Sequence, residues 1–138
     1  MILTDHFISL NTKLTSIFRV IANQYHLSFS QYCIIMKINS SGISMSQLAK
    51  NVGLDKSTLT RNIHVLVNRK LVLKQRSNDD LRVYKIFLTE AGENIKNKLY
   101  DELDYFSSKL LASLDSETQD IMHLMDKFIQ KMDSIDNA

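Results

Sequence analysis

Both ends of the chain carry apolar residues at alternating spacings of three and four. Leu3, Phe7, Leu10, Leu14, Ile17 and Ile21 form one such series, and Ile121, Met125, Phe128, Met132 and Ile135 form another. This alternation keeps side chains on one stripe of an α-helix, the seam along which a second helix packs. Leu99, Leu103, Phe106, Leu110 and Leu114 add a third amphipathic segment, interleaved with Asp101, Glu102 and Asp104. A chain of 138 residues has few internal surfaces to cover both terminal seams. A homodimer with interlocked termini is therefore expected, with Leu3, Phe7, Leu10, Leu14, Ile17, Ile121, Met125, Phe128 and Met132 at its interface. An intramolecular bundle of the same helices is the alternative.

The absence of proline and the presence of only three glycines favour helix throughout. With 44% hydrophobic residues and 23% charged residues, the chain holds enough apolar material for one core and is not a disordered tail. A single cysteine, Cys33, excludes an internal disulfide and a four-cysteine metal site. No apolar run reaches the roughly 18 to 20 residues needed to span a bilayer, and the N-terminus lacks the pattern of a signal peptide. The expectation is a cytoplasmic, single-domain protein without a membrane segment.

Charge is distributed unevenly. Between Lys50 and Lys85 lie nine basic and three acidic residues, net +6, and the rest of the chain is net −4. A basic middle suggests a module that faces a polyanion, although a solvated surface patch would carry the same charge.

That middle also has its own punctuation. Ser28–Gln31 and Ser44–Gln47 both fit a capping box, each ahead of an apolar helical run. Val52-Gly53-Leu54-Asp55 reads as a tight turn into a further helix capped by Asp55. That helix is expected to bury Leu59, Ile63, Leu66 and Val67, and to display Ser57, Thr58, Arg61, Asn62, Asn68 and Arg69. Two short helices around a glycine turn, the second polar and basic outward, form a helix-turn-helix. Residues 71–76 and 83–88 read as paired strands around the turn-rich 77–82, which makes the hairpin a wing. Thr89 then caps a returning helix.

The run from Ser46 to Gly92 resembles the DNA-binding half of the MarR (multiple-antibiotic-resistance regulator) family. The resemblance is carried by Leu48-Ala49, by Ser57-Thr58-Leu59-Thr60-Arg61 at the start of the recognition helix, by Asp80-Leu81-Arg82 in the wing, and by Leu88-Thr89-Glu90-Ala91-Gly92 at its exit. It implies a mainly α fold with a small β-wing. A winged helix-turn-helix lobe would span 28–92, flanked by dimerisation helices over 1–27 and 93–138. It further implies a homodimeric transcriptional regulator of double-stranded DNA, usually a repressor, often relieved by a small ligand or by oxidation.

On this reading the recognition helix enters a major groove. Arg61 is suited to a guanine edge, and Ser57, Thr58 and Thr60 to phosphate or base edges near the helix N-terminus. Asn62 is a weaker base reader. Lys56, Arg69, Lys74 and Arg76 are assigned to phosphates. The resemblance places Arg82 in the adjacent minor groove with Asp80 bracing its guanidinium. It also puts Lys70 where the family usually carries a left-handed glycine, so either the lysine adopts that conformation, at a cost of about 1 kcal/mol, or the turn differs. Leu81 takes a wing position that is often polar or basic.

The sensory side is less legible. Cys33 sits near the start of an apolar helix without basic sequence neighbours, which favours a structural thiol over a redox switch. His6, His26, His64 and His123 show no metal-ligand spacing, and no cofactor is expected. Phe18, Tyr25, Tyr32, Met36 and Tyr105 are candidates to line a pocket for a small aromatic or apolar effector, or else they simply pack the core. No glycine-rich phosphate loop or nucleophile–base pair points to an enzyme. A winged-helix adaptor that binds a protein rather than DNA is the alternative function.

Overall fold

In the computed structural model, which describes residues 2–115 and 120–136, the capping serines mark the helix starts. Ser28 Oγ accepts from the backbone N–H of Gln31, while Gln31 Oε1 accepts from the N–H of Ser28, so the first capping box closes in both directions. It opens α2 (Phe29–Lys37), which follows α1 (Leu3–Gln24). The second box closes halfway. Ser44 Oγ caps the N–H of Gln47 at the start of α3 (Met45–Val52), but the Gln47 amide turns forward to Asn51.

Gly53 ends α3 in the left-handed conformation at φ +67°, and Asp55 starts α4 (Lys56–Asn68) three residues after Val52. The turn is short because Leu54 N–H bonds back to the carbonyl of Ala49. Leu59, Ile63 and Leu66 of α4 are buried as their spacing predicts, whereas Val67, at the edge of that stripe, is exposed.

The wing is the hairpin of β2 (Val72–Arg76) and β3 (Tyr84–Leu88), in antiparallel register from Val72 opposite Leu88 to Arg76 opposite Tyr84. A third strand, β1 (Ile43–Ser44), pairs with the other edge of β3, so the sheet order is β1-β3-β2. Two residues are too few for an alternating pattern, and Ser44 doubles as a helix cap, so this strand leaves no sequence signal of its own.

Thr89 caps α5 (Glu90–Ala112). Its hydroxyl accepts from Gly92 N–H and donates to the carbonyl of Lys70. Ile34, Ile35, Ile38, Leu48, Leu59, Leu66, Ile86 and Leu99 are fully buried and form the centre of the lobe. Each such side chain contributes roughly 1.5–3 kcal/mol by leaving water. Lys96 of α5 donates to the carbonyl of Ile38 at the end of α2, which satisfies one of the open groups there.

The chain divides into two compact units, Met1–Tyr100 and Asp101–Ala138. The second contains the end of α5 and α6 (Ile121–Asp136). In α6 no residue is buried, and Ile121, Met125, Phe128 and Met132 are all exposed. In α1 the N-terminal seam residues Leu3, Phe7 and Leu10 are exposed, Leu14 and Ile17 are half-buried, and Ile21 is buried. Among the described residues, no helix is long and apolar enough to cross a membrane.

Candidate nucleic-acid interface

Asp55 organises the start of α4. Its Oδ1 accepts from the backbone N–H of Thr58 and from the Ser57 hydroxyl, and its Oδ2 accepts from the Thr58 hydroxyl, each at 2.8 Å. The Thr58 N–H first, then the two hydroxyls and the nearby Arg61 charge, lower the Asp55 carboxyl to a pKa of about 2. Thr60 donates its own hydroxyl to the carbonyl of Lys56.

A hydroxyl has one proton. All three at this helix start are already donated within the chain, so Ser57, Thr58 and Thr60 present acceptors in this arrangement. That suits base-edge donors such as cytosine N4 or adenine N6 better than phosphate oxygens. Arg61 leans along the helix, with Nη2 3.4 Å from Thr58 Oγ1, and so reaches Asp55 through a shared hydroxyl.

Two residues assigned to DNA from the sequence are engaged elsewhere. Asn62 is half-buried between α2 and α4: its Nδ2 donates to the Thr58 carbonyl, and its Oδ1 accepts from Gln31 at 3.5 Å. Arg69, although exposed, turns its guanidinium back onto the chain. Its Nη1 and Nη2 donate to the carbonyls of His26 and Tyr25 at 2.7 and 3.0 Å, at the end of α1. Its charge is therefore satisfied by the open end of a helix.

The wing is tied internally. Ser77 N–H bonds to the Val83 carbonyl, Val83 N–H to the Asp80 carbonyl, and Asp80 forms an ion pair with Arg82 at 3.2 Å. The Arg82 N–H and guanidinium hold the Asp80 carboxyl below the ordinary carboxylate range. Leu81 is two-thirds exposed at the tip. Lys70 is left-handed at φ +59°, the conformation expected of the family's glycine slot.

Tyr84, which the sequence analysis did not single out, joins the basic residues of the wing. Its hydroxyl accepts from Arg76 Nε at 3.1 Å, and Lys74 Nζ lies 4.8 Å from its ring centre. The signal was available in the register, since two strands joined symmetrically about residue 80 place Tyr84 opposite Arg76. A cleft of about 580 Å³ opens between the starts of α3 and α4 and the wing, and Lys56, Lys74, Arg82 and Tyr84 line it. Basic and aromatic groups thus converge where the recognition helix meets the wing.

The sensory candidates fall in both units of the chain. Phe18 stacks on Tyr32 at 5.6 Å, and Tyr32 stacks on Phe29 at 6.0 Å. Burial first, then Cys33 and Tyr100, push the Tyr32 phenol up to about 12. Tyr25 and Met36 are half-buried in the same unit. Tyr105 belongs to the second unit, exposed, with Lys109 over its ring. Cys33 is half-buried, and burial raises its thiol despite Lys37 and Arg19, opposite to what a reactive thiolate needs. Among the described residues, no group of three metal-ligating side chains occurs.

Residues 16–99 match the family model of the transcriptional regulator SarA/Rot. An uncharacterized HTH-type transcriptional regulator, YhbI of Bacillus subtilis (strain 168), is 30% identical over 105 residues, which are 75% of this chain and 68% of YhbI. The fold matches that of a mutant MarR from E. coli with a TM-score of 0.80 at 20% identity, covering 94% of this chain and 97% of that one. It also matches NadR in complex with 4-hydroxyphenylacetate, with a TM-score of 0.78 at 21% identity, covering 96% and 92% of the two chains. A capped recognition helix, a braced wing and a family match across most of the lobe agree: the chain belongs to the SarA/Rot family of transcriptional regulators, DNA-binding and non-enzymatic proteins with the MarR-type winged-helix fold.

Proposed function

We propose that this regulator is a cytoplasmic repressor that acts as a homodimer on an inverted-repeat operator. The observation that carries the reading is that two exposed arginines, one on the recognition helix and one on the wing, are each oriented from within their own element, Arg82 by a carboxylate and Arg61 by a hydroxyl that a carboxylate fixes. Arg61 reaches Asp55 through Thr58 at the head of α4, and Arg82 pairs with Asp80 at the wing. Arg61 would read a guanine in the major groove, and Arg82 would enter the neighbouring minor groove. Lys56, Lys74 and Arg76 would hold phosphates on either side.

Homodimerisation is supported by the apolar surface at both ends. Leu3, Phe7 and Leu10 on α1, and Met125 and Met132 on α6, would each lose exposed apolar area in a dimer. Two recognition helices related by a two-fold axis would read half-sites about one helical turn, roughly 34 Å, apart.

Selection from random duplex DNA by the purified protein tests the reading. An inverted repeat bound less tightly by Arg82→Ala is the expected result, with a log–log salt slope of roughly −5 to −7 for six to eight phosphates. Leu81, exposed at the wing tip beside Arg82, favours a second reading, an adaptor that grips a protein partner. No enriched duplex, with a salt slope near zero for a protein partner, would select it.

An aromatic effector is a further part of the proposal, supported by the Phe18–Tyr32 stack with Tyr25 and Met36 nearby in sequence. NadR supplies a probe: 4-hydroxyphenylacetate is expected to weaken binding of wild type, but not of Phe18→Ala, to the selected duplex.

A further inference from the structure

We infer that Arg69 is a positioning residue for DNA recognition, tying the C-terminal end of α4 to the C-terminal end of α1. The inference rests on the DNA-binding reading above. The last turn of α1 carries no basic residue of its own. Its carbonyls collect the negative end of the helix dipole, and a cation placed there is stabilising. Arg69 supplies that cation from 43 and 44 positions away in sequence, through two separate guanidinium nitrogens on the carbonyls of His26 and Tyr25, the two residues that follow Gln24 at the end of α1. A guanidinium suits this two-point grip, and an ammonium, as a point charge, does not reproduce it.

The surroundings make the tie directional. On the α1 side, His26 is left-handed at φ +56° and Leu27 N–H returns to the Ala22 carbonyl, with Leu27 itself buried. On the α4 side, Lys70 is left-handed and Leu71 N–H returns to the Leu66 carbonyl, with Leu71 buried. Two helix ends of the same geometry therefore meet through one side chain, and each is anchored by the buried residue that follows it. The other end of α4 carries Ser57 to Arg61. About eight to twelve residues of helix separate it from the tie, roughly 12 to 18 Å, so a tilt of about 5° at Arg69 displaces the reading end by about 1 to 1.5 Å. That is enough to break a bidentate contact to a base.

A phosphate ligand and a tie respond differently to substitution. Binding of wild type, Arg69→Lys and Arg69→Met is measured across a salt series, on the duplex the wild type selects and on a random duplex of equal length. If Arg69 is a tie, both variants lose affinity for the selected duplex, about tenfold, while the salt slope and the random-duplex affinity stay at wild-type values. Hydrogen exchange at the His26 and Leu27 amides also quickens in DNA-free Arg69→Met. A fall of about 0.9 in the salt slope of Arg69→Met with full rescue by Arg69→Lys overturns the proposal and restores a phosphate contact. Equal loss on both duplexes with unchanged exchange overturns it too. A wild type that prefers no duplex overturns the operator reading, whereas a wild-type preference retained by both variants overturns the tie alone.

Discussion

The backbone N–H and Nε of Arg82 converge on one oxygen of Asp80, at 3.0 and 3.2 Å, and Nη2 approaches the other at 3.4 Å. The arginine side chain is 92% exposed and the aspartate 41%, so water screens the pair and it adds little to stability. Its effect lies in order: a long side chain at a loop tip is held in one direction before DNA arrives. Asp80→Ala is therefore expected to leave the thermal midpoint unchanged while weakening operator binding by about 2- to 10-fold, the cost of ordering one free arginine on binding. Because the Asp80 carboxyl titrates below the ordinary carboxylate range, the brace should persist down to about pH 4. Fluorescence titration of both proteins against the same duplex checks this, and a destabilised fold would contradict it.

Asp55 acts on the fold as well as on the site. Its three hydrogen bonds all form with the ionised carboxylate, which is why its pKa falls to about 2. A folded-state pKa below the unfolded value of roughly 3.9 means the stabilisation is fully present above about pH 4. It is then lost as the pH falls through about 2. Asp55→Ala should lower the melting temperature by about 2–8 °C at pH 7. The gap from wild type should hold to about pH 4 and close toward pH 2. Calorimetry across that range gives the comparison, and a gap that does not depend on pH would remove the carboxylate from the explanation.

Lys70 occupies a left-handed position that glycine fills without a steric penalty. The backbone bonds Lys70 N–H to Val67 and Leu71 N–H to Leu66 close the end of α4 around it, and neither uses the lysine side chain. Lys70→Gly is expected to raise stability by about 0.5–1 kcal/mol, the left-handed strain less the added freedom of the unfolded chain. A valine there, branched at Cβ, should cost more than lysine does. Urea unfolding of the three proteins orders them, and valine above lysine would refute the conformational reading.

What could be read from the sequence follows from range. Asp55 with Ser57 and Thr58, Ser28 with Gln31, and Asp80 with Arg82 are contacts within three residues, and each was visible as a local pattern. The hairpin register was nearly as accessible, because a symmetric turn determines every pair beyond it. Arg69 and Asn62 resisted for the opposite reason. Their partners, the His26 and Tyr25 carbonyls just past α1 and Gln31 on α2, lie 31 to 44 positions upstream, and no spacing rule connects residues so far apart. Asn62 lies on α4 and Arg69 caps its C-terminal end, and polarity alone did not separate an outward-facing side chain from one that turns back onto the chain.

Tyr84 offers a cleaner dissection than the charged residues it holds. The ring attracts Lys74 and Arg76 by its face, at 4.8 and 5.5 Å, and the hydroxyl accepts from Arg76. Tyr84→Phe removes only the hydrogen bond, while Tyr84→Ala removes both. An exposed cation–π contact is worth about 0.5–1 kcal/mol. Operator affinity should fall by about 2-fold for phenylalanine and by about 5- to 20-fold for alanine. Equal losses for the two variants would show that the ring face does not orient the cations.

Gly92 is placed where the returning helix crosses the root of the wing. A Cβ built there would meet the carbonyl oxygen of Leu71, which is backbone and already accepts the N–H of Thr89 at 3.0 Å. The oxygen cannot rotate aside as a side chain would, so Gly92→Ala must push the start of α5 away from β2. That shift also pulls on the Thr89 hydroxyl, which bridges the Lys70 carbonyl and the Gly92 N–H. A loss of about 2–4 kcal/mol is expected, in the upper range for a single substitution. Gly53 provides the control. No atom lies within 4 Å of its would-be Cβ, so Gly53→Ala meets only the left-handed backbone penalty of about 1 kcal/mol. Chemical denaturation of the two alanine variants side by side separates collision from conformation, and equal losses would mean that the approach of α5 to Leu71 is not what requires a glycine.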